Sequence, residues 1–139
     1  MDQTPFHYSF FVTNLDEARR FYRDILGCLE GRSTEHWVDF DFFGHQISTH
    51  KAETIPATRN TGQVDDIAVP MPHFGCILSW DRFQQLASSI TAAGIPFIIA
   101  PRLRFEGQPS EQATMFLTDF SGNALEFKSF KHPEHVFTK

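Results

Sequence analysis

Two eight-residue segments of this chain carry the same three residues at the same offsets, and this repeat constrains the fold more than any other feature. DFFGHQIS at 41–48 and DFSGNALE at 119–126 share Asp, Phe and Gly, 78 positions apart. His7 and His73, each opening a predicted strand, are 66 positions apart, so the second copy is 12 residues longer. Because the order of predicted elements also repeats, we interpret the chain as two β-α-β-β-β units related by duplication, an α+β fold.

Each unit has one predicted helix with a clear start and stop. Asn14 begins a capping box and Gly27 ends the first helix; Ser79 or Asp81 caps the second helix, and Gly94 ends it. The apolar face of the first helix consists of Leu15, Ala18, Tyr22, Ile25 and Leu26. That of the second consists of Trp80, Phe83, Ala87 and Ile90. These faces predict helices that pack on a sheet.

Alternating or short apolar segments predict the strands. They cover residues 6–12, 36–43, 45–50, 73–78, 95–100, 113–120 and 123–130. The last two form a hairpin about Ser121-Gly122. The polar segment 101–112 is predicted to be a loop, and it accounts for the extra length of the second unit.

At 139 residues, the chain has the size of a single domain with its own core. We expect one domain over 1–139, built from a unit at 5–50 and a unit at 70–130. A connector at 51–69, with one Pro and one Gly, separates the units, and a polar tail follows at 131–139.

A sheet covered by a helix on one face leaves the other face free, so two such sheets can enclose a cavity between their free faces. In the first strand, Tyr8, Phe10 and Val12 share the face expected to pack under the helix. His7 and Ser9 share the other, more polar face, which we expect to line the cavity. The expected architecture is a curved mixed sheet around a ligand or metal cavity, with the helices outside.

Three residues on this expected cavity face have the chemistry of a metal site. His7 and His73 open the matched strands, and Glu126 alternates with apolar residues in the last strand. Two His and one carboxylate from three strands can form a facial triad, which suits Fe(II) and also Mn(II), Zn(II) or Ni(II). The alternative is that both His are structural and that Glu126 pairs with Lys128 or an arginine.

Other polar residues are candidates for binding or proton transfer. His50 shares the face of Ser48 and could act as an acid or base, or lie exposed at the strand end. Arg104, Phe105 and Gln112 belong to the predicted loop 101–112 or its end, where they could close over an anionic ligand or form a solvated surface.

Composition excludes several classes of partner. The net charge is −5 without a basic block, which argues against nucleic acid. No apolar stretch is long enough for a membrane helix, and the first residues do not resemble a signal peptide. Cys28 and Cys76 are too few for a disulfide framework, so we expect reduced thiols and a cytoplasmic location.

Two long segments resemble one family. FHYSFFVTNLDEARRFYRDILG at 6–27 is similar to the opening strand and helix of vicinal-oxygen-chelate proteins, and FLTDFSGNALEFKSF at 116–130 is similar to their closing hairpin. The resemblance extends over about residues 5–130. This superfamily contains glyoxalase I, extradiol dioxygenases, fosfomycin-resistance thiol transferases and bleomycin-binding proteins. The chain is most similar to small members described as predicted extradiol-type dioxygenases.

The resemblance implies a metal-dependent enzyme acting on a small molecule, with one divalent ion held by His7, His73 and Glu126, and a homodimer. Fe(II) and dioxygenase-like chemistry are favoured. A Mn(II), Zn(II) or Ni(II) thiol transferase or isomerase, and a metal-free small-molecule binder, are the alternatives. Glyoxalase I-like members use a further ligand from the first unit, but here the position matching Glu126 is Ser48, a poor ligand.

Overall fold

The computed structural model describes residues 3–56 and 60–139. The chain divides into two compact units. The described part of the first unit covers residues 3–56 together with 119–123, and that of the second covers 60–118 and 124–139. Both units combine a four-stranded sheet with a helix, which confirms the predicted α+β class.

The first unit consists of a helix and four strands. The helix begins as α1 (Leu15–Ala18) and continues without a break as a π-helical segment (Arg19–Ile25). The strands are β1 (His7–Val12), β2 (Leu29–Ser33), β3 (Trp37–Phe42) and β4 (His45–Lys51). Their order in the sheet is β1-β4-β3-β2, with β1 parallel to β4 and the other pairs antiparallel.

The second unit has the same arrangement and an added hairpin. The hairpin consists of β5 (Thr61–Val64) and β6 (Ile67–Pro70). The remaining elements are β7 (His73–Phe74), α2 (Trp80–Ala92), β8 (Ile99–Arg104), β9 (Gln112–Thr118), β10 (Ala124–Phe130) and a 3₁₀ turn (Pro133–His135). The sheet order is β7-β10-β9-β8, again with one parallel pair at the first position.

The parallel strand pair has the same register in the two sheets. His7 pairs with Gln46 across β1 and β4, and His73 pairs with Ala124 across β7 and β10. Gln46 and Ala124 are separated by the same 78 positions as the repeated segments. His7 and His73 therefore occupy equivalent backbone positions, and so do Ser48 and Glu126, two residues further along their strands.

The first helix forms for the reasons that its sequence predicts. The Asn14 side chain accepts a hydrogen bond from the backbone N–H of Glu17 at 2.9 Å, and Gly27 ends the helix with a φ of +80°. Tyr22 is fully buried, and its ring centroid lies 5.8 Å from that of Phe10, so this face of β1 packs under the helix. Ser79 caps α2 in the same way, through the N–H of Arg82.

Three strands, β2, β5 and β6, were not predicted. Every residue of β2 is exposed, since it is an edge strand. The stretch interpreted as a connector contains the β5–β6 hairpin, whose tight turn has Asp65 and Asp66 at positive φ without the glycine that usually signals it.

The predicted bounds of two strands in the second unit need correction. The strand predicted over 95–100 begins at Ile99 and extends to Arg104, so the loop covers only 105–111. Pro101 is tolerated because β8 is an edge strand with a register shift between Ile99 and Arg102. The strand predicted over 73–78 is reduced to β7 and a bridge between Ile77 and Lys128.

Candidate functional site

His73 and Glu126 lie beside each other in the second unit because β7 and β10 are adjacent parallel strands. His73 Nε2 is 3.5 Å from Glu126 Oε1. The two side chains are only 18% and 9% exposed, respectively. The structure thus brings together two of the three residues that the sequence nominated as metal ligands.

The hydrogen bond on the other ring nitrogen of His73 determines what Nε2 presents to the carboxylate. Nδ1 lies 2.9 Å from the carbonyl oxygen of Pro70. A carbonyl can only accept, so Nδ1 carries the proton, and in the neutral ring Nε2 presents its lone pair. Two acceptors then face each other, and a cation or a proton between them is required. A histidine held by a carbonyl at Nδ1 is also the usual arrangement of a metal ligand.

Glu126 is held in place by neighbours on its own sheet. Thr114 Oγ1 donates a hydrogen bond of 2.6 Å to Oε2, which leaves Oε1 facing His73. Lys128 Nζ lies 3.9 Å from the same Oε1, so the alternative pairing with lysine is also present, at a distance longer than a hydrogen bond. The ring of Phe116 packs edge-on against His73, with centroids 4.8 Å apart. The orientation of the Glu126 carboxylate is therefore fixed, with one oxygen hydrogen-bonded to Thr114.

The backbone beside this pair leaves no room for a side chain. A Cβ built on Gly75 would overlap the backbone carbonyl of Glu126, so only glycine allows this approach. A pocket of about 210 Å³ opens here, lined by His73, Phe74, Gly75, Cys76, Ile77, Glu126 and Lys128. Burial raises the pKa of Cys76 to about 11, so its thiol stays protonated at neutral pH.

His7 lies in the first unit on the exposed side of β1. Its Nδ1 is 2.7 Å from Gln46 Oε1, and its Nε2 is 3.2 Å from Ser9 Oγ. Gln46 in turn donates from Nε2 to Asp39 Oδ2 at 3.3 Å. In both equivalent histidines, therefore, Nδ1 is bound to an oxygen acceptor.

His7 belongs to the first unit and the His73–Glu126 pair to the second, so ligation of one ion by all three stays a prediction. Over residues 3–56 and 60–139, no group of three or more His, Cys, Asp and Glu side chains is placed to hold a metal ion.

Ser48 and His50 form a second polar pair, in the first unit. Ser48 is buried, and its hydroxyl lies 3.0 Å from His50 Nε2. The ring of His50 also lies against Trp37, with centroids 6.4 Å apart. The pair shares one face of β4, as predicted, and it has the geometry for proton exchange between a hydroxyl and an imidazole.

The three predicted ligand-binding residues meet at one end of the second sheet. Arg104 and Gln112 are opposite each other across β8 and β9, and the Arg104 guanidinium lies 4.7 Å from the ring centroid of Phe105. Gln112 is 6% exposed, and its buried Oε1 has no hydrogen-bond partner among the described residues.

Four residues beside these sites were not nominated from the sequence. They are Asp65 and Arg102, which form ion pairs next to Arg104, Thr114, which holds Glu126, and Gln46, which holds His7. Arg102 and Arg104 are two residues apart, the spacing of one strand face, but the prediction of a loop there hid that signal. Thr114 could have been found from its alternation with Phe116. No local pattern pointed to Asp65.

No helix in the described parts of the chain is both long and apolar enough to cross a membrane.

The chain is similar to known proteins in both sequence and fold. The model of the glyoxalase/bleomycin resistance protein/dioxygenase superfamily matches residues 4–127. A glyoxalase/bleomycin resistance protein/dioxygenase from Alicyclobacillus acidocaldarius is 32% identical, with 96% of each chain covered and a TM-score of 0.78.

More distant solved structures share the fold alone. The fosfomycin resistance protein FosX from Listeria monocytogenes is 16% identical, with 98% of this chain and 100% of that chain covered and a TM-score of 0.72. The virulence protein STM3117 from Salmonella typhimurium is 21% identical, with coverages of 94% and 98% and a TM-score of 0.62. No curated protein matches the chain significantly.

Proposed function

Because the chain belongs to the glyoxalase/bleomycin resistance protein/dioxygenase superfamily, we propose that it is a metal-dependent enzyme whose ligands are His7, His73 and Glu126. Its substrate would be a small molecule that offers two vicinal oxygens. The observation that supports this most is the close approach of His73 Nε2 and Glu126 Oε1, 3.5 Å apart, with the other nitrogen of His73 bound to Pro70.

The donor set of the proposed site suits a divalent transition metal. Two imidazole nitrogens and one carboxylate oxygen are ligands that Fe(II), Mn(II), Zn(II) and Ni(II) accept. In the neutral ring the lone pair of His73 would face the carboxylate of Glu126, so a metal cation between them would relieve their repulsion. When bound, the metal would supply Lewis acidity toward the substrate oxygens and, as Fe(II), electrons for reaction with dioxygen.

Other side chains of the protein would orient a metal ligand, transfer a proton and bind the substrate. Thr114 holds Glu126 in orientation by its 2.6 Å hydrogen bond. His50, which is hydrogen-bonded to Ser48, would accept or return a proton at Nε2. Arg104, with Phe105 and Gln112, would bind an anionic part of the substrate at the end of the second sheet.

Ser48 is the reason for favouring Fe(II) dioxygenase-like chemistry. It occupies the position equivalent to Glu126, where a carboxylate would add a fourth protein ligand. Its hydroxyl is already within 3.0 Å of His50. A site with three protein ligands keeps positions open for substrate and dioxygen.

Two other functions remain as alternatives. A Mn(II), Zn(II) or Ni(II) thiol transferase or isomerase uses the same ligands, and the fold shared with fosfomycin resistance protein FosX is compatible with it. A metal-free small-molecule binder is favoured by one observation, which is that Thr114 and Lys128 already approach Glu126.

The assembly and setting of the protein are further parts of this proposal. A homodimer is expected from the family, and a sedimentation mass near 16.0 kDa at micromolar concentration would contradict it. The net charge of −5 supports a small-molecule substrate rather than nucleic acid, with no membrane partner. The presence of only two cysteines, Cys28 and Cys76, too few for a disulfide framework, supports a cytoplasmic location.

Metal analysis of anaerobically purified protein tests the central proposal. We expect one divalent ion per chain, predominantly iron, and its loss in Glu126→Gln. The exposed control Glu134→Gln should retain the ion. A folded, metal-free wild type that binds no added Fe(II), Mn(II), Zn(II) or Ni(II) would overturn the enzyme proposal and favour the binder. Bound manganese, zinc or nickel with no affinity for iron would instead favour the transferase or isomerase.

A further inference from the structure

Two arginines of β8 lie on the same face of the second sheet as Glu126. Arg102 is opposite Thr114 and Arg104 is opposite Gln112 in the antiparallel β8–β9 pair. Residues directly opposite in such a pair share a face, and Thr114 reaches Glu126 on that face. Because β9 separates β8 from β10, the backbones that carry the arginines and Glu126 are about 10 Å apart.

Both guanidinium groups converge on one carboxylate, that of Asp65. Arg102 Nη2 donates to Asp65 Oδ2 at 2.9 Å and Arg104 Nη2 donates to Oδ1 at 3.2 Å. Arg104 Nε also lies 2.7 Å from Oδ2. Each carboxylate oxygen thus accepts a hydrogen bond from a different guanidinium group, and such charge-assisted hydrogen bonds are among the stronger ones in proteins.

The charges of this cluster do not balance. Two guanidinium groups face one carboxylate, which leaves one positive charge in excess. The side chain of Arg104 is only 16% exposed, and that of Arg102 is 33% exposed. Arg102 Nε is buried and has no hydrogen-bond partner among the described residues. A partly buried excess of donors and of positive charge favours a second anion or a replacement for Asp65.

Asp65 can leave the arginines without unfolding its hairpin. It lies in the β5–β6 turn with a φ of +49°, and its side chain is 37% exposed. The hairpin is anchored separately, because Val64 and Ile67 pack against the buried cluster of Val69, Ile99 and Phe116. Rotation of the Asp65 side chain into solvent would therefore expose both guanidinium groups and keep these apolar contacts.

We propose that Arg102 and Arg104 form a binding site for an oxyanion group with two or more oxygens, a carboxylate or a phosphonate, and that the Asp65 carboxylate occupies this site as a built-in competitor. A ligand binds by replacing Asp65 on the two guanidinium groups. The identification of this anion as part of the substrate rests on the proposed function, whereas the binding site itself does not.

The test compares two neighbouring aspartates of the same turn. Asp65→Asn removes the competing charge with little change in size, and Asn tolerates the positive φ of this position. Asp66→Asn is the matched control, because Asp66 also has a positive φ, of +67°, and the substitution changes the net charge equally. Acetate and methylphosphonate serve as carboxylate and phosphonate probes in calorimetric titrations at low ionic strength.

We expect Asp65→Asn to bind at least one probe about tenfold or more tightly than wild type, which corresponds to about 1.4 kcal/mol, and Asp66→Asn to bind like wild type. Adding Arg102→Gln or Arg104→Gln to Asp65→Asn should remove the gain. The probe that gains identifies the planar or the tetrahedral oxyanion as the preferred class. Equal affinities in the two aspartate variants, or a gain that persists without either arginine, would overturn the proposal.

Two further measurements separate this site from the metal. The gain should persist in the Glu126→Ala background, because oxyanions also coordinate metal ions; loss of the gain there would overturn the arginine site. If the protein with native Glu126 binds none of the added metals but Asp65→Asn still shows the gain, the enzyme proposal fails and the arginine site stands. If Asp65→Asn does not fold, NMR of the wild type decides: a saturating probe should shift the Nε–H resonances of Arg102 and Arg104, and unchanged resonances would refute the site.

Discussion

The hydroxyl of Tyr22 donates a hydrogen bond of 2.8 Å to the carboxylate of Asp119, 97 residues further along the chain. Both residues belong to the first unit, where Tyr22 is fully buried and Asp119 is 5% exposed. The other Asp119 oxygen accepts the backbone N–H groups of Ser121 and Asn123. The turn between β9 and β10 is therefore attached to the first helix through one buried, hydrogen-bonded carboxylate.

Removing the Tyr22 hydroxyl should lower the free energy of unfolding at neutral pH. It should also reduce the decline of that free energy at alkaline pH. Tyr22→Phe leaves a buried carboxylate with one donor fewer, which costs about 1.5–3 kcal/mol of the free energy of unfolding. Burial, and then the charge of Asp119, raises the pKa of Tyr22 well above 10.0. Because the folded-state pKa is raised, the stability that depends on it is complete below pH 10 and falls as the pH rises further.

Urea unfolding between pH 7 and pH 11 measures both effects of Tyr22→Phe. The control Tyr8→Phe keeps the Tyr22–Asp119 pair and should retain the alkaline decline. Equal stability of Tyr22→Phe and wild type at pH 7 would contradict this account.

Each proposed metal ligand should be necessary for tight binding. His7→Ala, His73→Ala and Glu126→Ala each remove one of three protein ligands, so each should abolish stoichiometric metal binding. The cores on the helix sides of the two sheets do not contain these side chains, so circular dichroism should show folded proteins. A variant that retains the metal content of the wild type would show that its residue is not a ligand.

Ser48 should contribute little to metal affinity. A neutral hydroxyl is a weak ligand beside imidazole and carboxylate, and this one is within 3.0 Å of His50. Ser48→Ala should retain the bound metal in competition assays with a chelator. Ser48→Glu would add a carboxylate at the position equivalent to Glu126, with tighter binding and lower dioxygenase-type activity. A crystal structure with Ser48 Oγ at bonding distance from the metal would refute the three-ligand site.

Gly75→Ala should destabilise the second unit and weaken metal binding together. The new Cβ would overlap the backbone carbonyl of Glu126, so β7 or β10 must shift. Forced overpacking costs about 1–3 kcal/mol, and the shift separates His73 from Glu126. Gly31→Ala is the matched control, since its Cβ would meet its nearest neighbour, the Asp39 carbonyl oxygen, at 3.4 Å. Thermal unfolding and metal titration of both variants check this; a stability equal to that of Gly31→Ala would contradict the close approach.

Sequence reasoning succeeded where the signal is local or repeated. The Asn14 cap and the turn at Gly122 depend on residues within four positions of each other, so their chemistry is visible in the chain. The duplication placed His7 and His73 at equivalent positions, because equal spacing along both strands implies equal register. It failed at β2, where every residue is exposed, and at the β5–β6 hairpin, where Asp65 and Asp66 form the turn in place of the usual glycine.

Some features of the candidate site were likewise predictable from the sequence, and others were not. The alternation of residues along a strand was enough to assign Glu126 to a polar face, and the spacing of the repeat was enough to match it with Ser48 and to match His73 with His7. The Thr114 bond to Glu126 and the Pro70 bond to His73 were not predicted, since neither partner stands out in composition.

By itself, the sequence determined the α+β class, the repeated units and the residues that share each strand face, because these follow from periodicity and local backbone chemistry. Only the tertiary structure decided which side chains meet across strands and turns. Asp65 reaches Arg102 and Arg104 over 37 and 39 positions, and Gly75 is required by a backbone carbonyl 51 positions away. Such contacts depend on how strands pair and where a hairpin packs, and the free energy that selects those pairings comes from the whole core rather than from any short segment.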